Sequence, residues 1–155
     1  MTILHLGCGD DIHPDKTNLD PKINGWTFES GLPMFADGSV DGITISHAIQ
    51  NIKRENWSSV FGEFYRVLRK EGVIRITDDD TETPSSPRYK KPVMYKGKPV
   101  TPTGPGSVRF YLKQAGFRLV MDQKADATLF ESVDLLIAHR EHKKPHFVFY
   151  IEAVK

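Results

Sequence analysis

The sequence has 155 residues, of which 39% are hydrophobic and 26% charged, and its formal net charge is +1. This balance is typical of one globular domain and excludes a disordered chain. The near-neutral charge argues against duplex nucleic acid or an anionic membrane as a partner. A single cysteine excludes an internal disulfide. Because neither a signal peptide nor a bilayer-spanning stretch is recognisable, we expect a cytoplasmic protein.

The first predicted element is a short buried strand over residues 3–6, which ends in the glycine turn Gly7-Cys8-Gly9. Residues without side chains let the backbone turn tightly and let a ligand approach it. A second short strand ends in the carboxylate of Asp20. In a doubly wound sheet, such a turn lies against a nucleoside while the acid accepts hydrogen bonds from ribose hydroxyls. The alternative is an ordinary tight turn, with Asp20 as a turn former beside Pro21.

The link between these two strands, residues 10–16, is polar and is interrupted by Pro14. A crossover between parallel strands usually takes a dozen or more residues and contains a helix. If the two strands are parallel neighbours, the first helix is therefore shortened or missing.

Hydrophobic periodicity predicts the elements that follow. Alternating β-branched residues indicate strands, and apolar residues spaced by three and four indicate a helix. In chain order these are a short strand at 26–28, a strand at 40–46, a helix at 53–70 with a left-handed cap at Gly72, and a strand at 73–77.

Residues 81–106 contain six of the ten prolines and five lysines or arginines. A loop of this length after the end of a strand is typical of a lid over a site. We therefore expect a single domain over residues 1–155, with a Pro/Lys-rich lid at 81–106. The basic residues could bind an anionic acceptor such as a sugar phosphate, and a solvated positive loop is the alternative.

The last predicted elements are helices and strands that close the sheet. A helix capped by Ser107 ends at Gly116, and strand, helix and strand patterns follow at 117–121, 131–140 and 146–154. The two terminal strands could pair antiparallel, which predicts an α/β fold with a mixed sheet.

Several segments carry a resemblance to a known family: LHLGCG (4–9), NLD (18–20), LPMFADGSVDGITISHAI (32–49), EFYRVLRKEGVIRI (63–76), LKQAGF (112–117) and the terminal strand. Their order resembles that of class I S-adenosylmethionine-dependent methyltransferases, and the likeness extends over nearly the whole chain. It looks closest to short predicted methyltransferases of the polysaccharide-biosynthesis type. The resemblance implies a Rossmann-like, doubly wound, mostly parallel sheet with an antiparallel C-terminal strand, and S-adenosyl-L-methionine as the cofactor.

The resemblance also implies the cofactor site. The glycine turn would contact the amino-acid end of the cofactor through its backbone, and Asp20 would hold the ribose hydroxyls. Residues near 30 would line the adenine pocket, and the end of the strand at 40–46 would lie where the methyl group meets the acceptor. The implied cofactor residues are Gly7, Cys8, Gly9, Asp20, Glu29, Ser30, Leu32 and Ser46.

Methyl transfer to oxygen or nitrogen also requires a base. His47 could take the proton near neutral pH, or it could be a capping or packing histidine. A carboxylate of Asp78, Asp79 or Asp80 could act as the base instead. These three acids could also bind a cationic acceptor or a metal, and a solvated turn is the alternative. No metal site is expected, because neither His13 with its acidic neighbours nor the pair at 139 and 142 makes a convincing ligand set.

The predicted function is in-line methyl transfer to a small-molecule or glycan acceptor. The alternative is a non-catalytic nucleoside-binding protein of the same fold, or a subunit of a larger complex. Two departures from the family keep this alternative open: the first helix is shortened, and Asp11 stands where the family's Gly-x-Gly-x-Gly pattern has its third glycine. The same two features disfavour a nicotinamide-dependent dehydrogenase, whose pyrophosphate needs that helix. Nucleic-acid methylation is disfavoured because the sequence has neither an Asn-Pro-Pro-Tyr type motif, which acts on base amines, nor a Pro-Cys nucleophile, which acts on cytosine.

Overall fold

The computed structural model describes residues 1–86, 89–90, 94–95, 97–122 and 148–155. Eight strands and three helices lie in these ranges, together with 3-10 turns at Phe28–Ser30, Ile49–Asn51 and Arg54–Asn56. The helices are α1 (Pro21–Asn24), α2 (Trp57–Val67) and α3 (Pro105–Ala115). The strands are β1 (Ile3–Leu6), β2 (Thr17–Leu19), β3 (Val40–Ser46), β4 (Leu68–Asp79), β5 (Met94–Tyr95), β6 (Lys98–Pro99), β7 (Leu119–Asp122) and β8 (Val148–Val154).

Six of the strands form one sheet in the order β2-β1-β3-β4-β8-β7, while β5 and β6 form a separate small hairpin. The first four strands of the sheet are parallel. Strand β8 lies antiparallel between β4 and β7. The predicted α/β fold, with a mostly parallel sheet and an antiparallel C-terminal strand, is confirmed.

The connection between β1 and β2 contains no helix. Residues 10–16 form turns that the Asn18 side chain holds together. Its amide oxygen accepts from the backbone N–H of His13 at 3.0 Å, and its NH₂ group donates to the carbonyls of His13 and Lys16 at 2.7 and 2.9 Å. The prediction of a shortened or missing first helix is therefore confirmed, and a side chain replaces the hydrogen bonds that a helix would have made.

The hydrophobic core lies between one face of the sheet and helices α2 and α3. The aromatic stripe of α2, formed by Trp57, Phe61 and Phe64, is fully buried among the apolar strand residues. Phe61 also contacts Tyr111 of α3 with ring centroids 6.0 Å apart. Each of these helices has 11 residues, and no helix in the described part of the chain is long and apolar enough to cross a membrane.

The predicted strand at 26–28 is wrong. Phe28 instead begins a 3-10 turn, and its ring contacts that of Trp26 with centroids 4.9 Å apart. The Trp26 indole N–H donates to the carbonyl of Gly31 at 2.7 Å, so the segment folds back on itself. Aromatic packing and this side-chain hydrogen bond replace a strand pairing.

Two predicted helix ends also differ from the structure. Helix α2 ends at Val67 because Leu68 is extended and pairs with Val40. The left-handed residue is Glu71, inside β4, rather than Gly72. Helix α3 begins at Pro105 after Gly104, so Ser107 is not its cap. The predicted left-handed end of α3 at Gly116 is confirmed, with φ of 110°. The predicted helix at 131–140 lies outside the described residues.

Candidate functional site

A cavity of about 340 Å³ opens at the carboxyl ends of the parallel strands. The chain passes from β1 to β2 on one side and to β3 on the other, so this is the point where the strand order reverses. Open α/β sheets bind their ligands at such points, and the volume lies within the range of small-molecule sites. The described residues that line the cavity are Gly7, Gly9, Asp20, Pro21, Lys22, Thr27, Phe28, Glu29, His47 and Asn51.

The glycine turn after β1 forms the floor of this cavity. Gly7 and Gly9 have φ angles of 65° and 58°, a conformation that side chains disfavour. A Cβ atom on Gly7 would lie 2.6 Å from Cβ of Ala48, whereas one on Gly9 would meet no atom within 4 Å. Gly7 therefore allows close packing beneath the turn, and Gly9 leaves open space above it.

Asp20 connects the end of β2 to the glycine turn. One carboxylate oxygen accepts from the backbone N–H of Gly9 at 2.9 Å, and the other accepts from that of Lys22 at 2.9 Å. The second bond caps α1 at its N-terminus. Asp20 is thus both a structural cap and a cavity residue, so the two interpretations offered by the sequence are compatible.

The far wall of the cavity is the segment from Thr27 to Glu29, and α2 anchors the chain that follows this segment. The carboxylate of Glu63 accepts from the backbone N–H of Leu32 at 3.0 Å. The guanidinium of Arg66 donates to the carbonyls of Leu32 and Phe35 at 3.1 and 3.0 Å. Hydrogen bonding to Arg66 lowers the pKa of the Glu63 carboxyl, so this anchor is ionised at neutral pH.

His47 stands at the end of β3 with its side chain beside two acids. Its Nδ1 atom lies 4.0 Å from a carboxylate oxygen of Asp78 and 4.0 Å from one of Asp79. The residue has φ of 50°, and its backbone N–H donates to the carbonyl of Thr77 at 2.8 Å. A non-glycine residue held in this conformation stores strain, which is common at functional sites. The three predicted catalytic residues are therefore neighbours, and His47 is the one that lines the cavity.

The Asp78 side chain is fully buried. Burial raises the pKa of its carboxyl to about 7, although the backbone N–H groups of Asp79 and Gln50 favour the ionised form by donating to it at 2.7 and 3.1 Å. Near neutral pH this carboxyl can therefore take up or release a proton.

Four predicted cofactor residues are absent from the described cavity lining. Cys8 is buried, and burial together with the Asp20 carboxylate raises the pKa of its thiol to about 11, so it is not a nucleophile. Ser30 bonds to the Thr27 hydroxyl, and Leu32 is fully buried in the core. Ser46 pairs with Thr77 within the sheet. Gly7, Gly9, Asp20 and Glu29 do line the cavity.

Sequence reasoning missed five of the lining residues. Pro21 and Lys22 directly follow Asp20, and this adjacency was the available signal. Thr27 and Phe28 were assigned to a strand, and nothing in the sequence marked Asn51. The five missed residues are Pro21, Lys22, Thr27, Phe28 and Asn51.

No metal centre is visible among the described residues, where no group of three His, Cys, Asp or Glu side chains is placed to hold an ion. The third acid of the 78–80 run forms a turn, because the Asp80 carboxylate accepts from the backbone N–H groups of Glu82 and Thr83 at 3.2 and 3.0 Å. The histidines at 139 and 142 lie outside the described residues.

Residues 16–76, from β2 to β4, match the family model of a methyltransferase domain. No functionally curated protein matches the chain in sequence.

Several solved methyltransferases are similar in structure. A SAM-dependent methyltransferase from Archaeoglobus fulgidus superimposes with a TM-score of 0.62 at 20% identity, over 99% of this chain and 86% of that one. A SAM-dependent methyltransferase from Thermotoga maritima superimposes with a TM-score of 0.64 at 18% identity, over 99% of this chain and 82% of that one. A SAM-dependent methyltransferase from Aquifex aeolicus superimposes with a TM-score of 0.60 at 15% identity, over 99% of this chain and 81% of that one. The chain thus has the fold of SAM-dependent methyltransferases, and the family match lies within the same fold.

Proposed function

We propose that this chain binds S-adenosyl-L-methionine in the cavity at the end of β1 and transfers its methyl group to a small-molecule or glycan acceptor, as in polysaccharide biosynthesis. One observation carries the proposal. The open space above Gly9 and the carboxylate of Asp20 meet in one cavity, at the point where the strand order of a methyltransferase fold reverses.

The residues present fit an adenosyl ligand. Each Asp20 oxygen already accepts one backbone N–H and has capacity for a ribose hydroxyl as well. The absence of a Cβ on Gly9 leaves room for a ligand to approach the backbone. Asp20 and Glu29 line the cavity and suit a ligand that carries positive charge. Lys22 also lines it, but its ammonium pairs with the Asp10 carboxylate at 3.0 Å.

A dinucleotide fits less well. Its pyrophosphate needs the N-terminus of a helix directly after the glycine turn. Residues 10–16 form turns instead, so that anion site is missing. S-adenosylmethionine carries no phosphate, and the missing helix therefore weakens its binding less than that of a dinucleotide.

When bound, the cofactor supplies a methyl group on a positively charged sulfur that is a good leaving group. The protein's contribution is to align the acceptor and to remove its proton. We assign proton removal to His47, which lines the cavity, and proton exchange with His47 to Asp78 and Asp79. Because the Nδ1 distances are 4.0 Å, this exchange requires a small movement or an intervening water.

Calorimetric titration tests the proposal. The protein should bind S-adenosylmethionine and S-adenosylhomocysteine in the micromolar range and bind NAD much more weakly. Asp20→Asn should weaken both interactions by about tenfold or more, because a ribose hydroxyl bond to a charged acceptor becomes one to a neutral amide. The matched control is Asp15→Asn, which removes an exposed carboxylate outside the described lining and should leave the affinity unchanged.

Two results would contradict the proposal. If the wild-type protein binds neither nucleoside, the cofactor assignment is wrong. If it binds both but consumes no methyl groups with any sugar or glycan offered, the chain is a binding protein of the same fold.

A further inference from the structure

A second cavity of about 420 Å³ adjoins the first and contains no acidic side chain among its described lining residues. It lies between the 3-10 turn Ile49–Asn51 and residues 98–101, which comprise β6 and the two residues after it. Asn51 lines both cavities, so the two are neighbours on either side of this residue. The described lining residues are Gln50, Asn51, Lys53, Lys98, Pro99, Val100 and Thr101.

Gln50, which is mostly buried, forms part of the wall of the second cavity. Its backbone N–H donates to the buried carboxyl of Asp78 at 3.1 Å, and its carbonyl accepts from the backbone N–H of Thr101 at 2.9 Å. The Gln50 backbone therefore fixes residues 98–101 relative to the end of β4. The second cavity has a defined wall rather than a surface made of independent loops.

The charge of the second cavity is opposite to that of the first. Lys53 and Lys98 line it, and neither ammonium forms an ion pair with any residue that the structure describes. Arg54, their cationic neighbour, is engaged by the Glu82 carboxylate and the carbonyl of Pro102. Two unneutralised lysines that face one cavity attract an anion, and charge-assisted hydrogen bonds to phosphate or carboxylate are among the stronger ones.

We propose that the second cavity binds the anionic group, a phosphate or a carboxylate, of the methyl acceptor. The proposal rests on the proposed function of the first cavity and narrows the acceptor to an anionic molecule. With its anion between Lys53 and Lys98, such a molecule extends past Asn51 to His47, where the first cavity begins. Acidic residues then face the positively charged donor, and basic residues face the negatively charged acceptor.

Amide NMR titration of the protein loaded with S-adenosylhomocysteine tests this assignment. The probes are glucose 1-phosphate, glucuronate and glucose, which share a ring and differ in charge. We expect the two anions to shift the amides of Asn51, Lys53 and Thr101 and to bind at least tenfold more tightly than glucose. A preference between the anions distinguishes a phosphate from a carboxylate acceptor.

Matched double variants separate this site from general charge effects. Lys53→Met with Lys98→Met should abolish the preference for anions, and arginine at both positions should restore it. The control is Lys70→Met with Lys113→Met, which removes two exposed lysines elsewhere and should keep the preference. Equal binding of all three sugars, or an unchanged preference in the Lys53/Lys98 variant, would overturn the assignment.

The same titrations without the nucleoside keep the two proposals distinguishable. If S-adenosylhomocysteine binds and the anions do not, the acceptor assignment fails and the cofactor assignment stands. If the nucleoside does not bind, the proposed function fails. In that case anion binding that depends on Lys53 and Lys98 would still support the second cavity as an anion site, and the absence of such binding would refute that assignment.

Discussion

Gly7 and Gly9 have the same left-handed backbone but different surroundings, and their alanine variants should therefore differ. Gly7→Ala brings its Cβ to 2.6 Å from Ala48 and 3.2 Å from the Phe28 ring. Strain and overpacking together should cost about 2–4 kcal/mol of the free energy of unfolding. Gly9→Ala should cost about 1 kcal/mol, because only the backbone is strained.

Urea denaturation of both variants, with nucleoside titration, measures this difference. Gly9→Ala should weaken nucleoside binding more than its small loss of stability suggests, since its methyl group enters the cavity. Equal stability losses in the two variants would show that packing beneath Gly7 is looser than the structure indicates.

The buried carboxyl of Asp78 predicts a specific dependence of stability on pH. Burial raises its pKa from 3.8 to about 7 in the folded state. Between these values the folded protein retains a proton that the unfolded chain has released, so this carboxyl's contribution to stability falls as pH rises. It is fully present below about pH 4 and is lost by about pH 7, and the total change should be a few kcal/mol.

Comparison with Asp78→Asn isolates this effect, because asparagine does not titrate. The free energy of unfolding of the wild type, relative to that of the variant, should decline between pH 4 and 7 and stay constant above. Urea denaturation across this range measures it, and a constant difference between the two proteins would show that Asp78 titrates normally.

The sequence predicted those cavity residues that directly follow the strands of the parallel sheet. Gly9, Asp20 and His47 each follow a strand that periodicity identified, and parallel strands bring their carboxyl ends together. Asn51 and Phe28 could not be predicted in the same way. They reach the cavity from loops whose positions depend on distant contacts, such as that between Leu32 and Glu63.

At the scale of elements, helix α2 holds the cavity wall through Arg66. Its guanidinium contacts the carbonyls of Leu32 and Phe35 and the carboxylates of Glu63 and Asp37. Arg66→Met should lower the free energy of unfolding by about 1–3 kcal/mol and leave two carbonyls without this donor. It should also weaken nucleoside binding several-fold, because the chain that follows Thr27–Glu29 would lose this anchor.

Arg69→Met is the matched control, since Arg69 lies just beyond the same helix and pairs with Asp41 on the surface. It should change stability by less than about 1 kcal/mol and leave nucleoside affinity unchanged. Hydrogen exchange at residues 28–35 provides the local measurement. Equal exchange in the two variants would mean that other contacts hold the wall.

The boundaries of elements were predicted less well than their existence, and α2 shows why. Helical spacing continues to Leu68 in the sequence, but in the fold this residue pairs with Val40 and begins β4. Sheet pairing therefore overrides local helical preference at the junction. The positive φ moves to Glu71, where the chain turns before Val73 pairs with Gly42.

At the scale of the whole molecule, a row of polar residues crosses the sheet on the face opposite α2. His5 pairs with Thr44, Thr44 with Arg75, and Arg75 with Glu152, so the row connects the parallel strands to the antiparallel β8. All four residues are buried. The sequence predicted a mixed sheet, but this row was not predicted, since it depends on the register between strands far apart in the chain.

This row contains a buried ion pair between Arg75 of β4 and Glu152 of β8, which joins the parallel strands to the antiparallel one. The Arg75 guanidinium lies 2.9 Å from the Glu152 carboxylate, and the two side chains are 4% and 0% exposed. Glu152→Leu should destabilise the protein by up to about 3–5 kcal/mol, because it removes the carboxylate that pairs with the buried Arg75 guanidinium. The double variant Arg75→Met with Glu152→Leu should lose less stability than the sum of the two single variants, since it removes both members of the buried pair. Denaturation of the wild type, Arg75→Met, Glu152→Leu and the double variant measures the coupling between the two side chains. Additive losses would mean that this pair contributes no coupling energy.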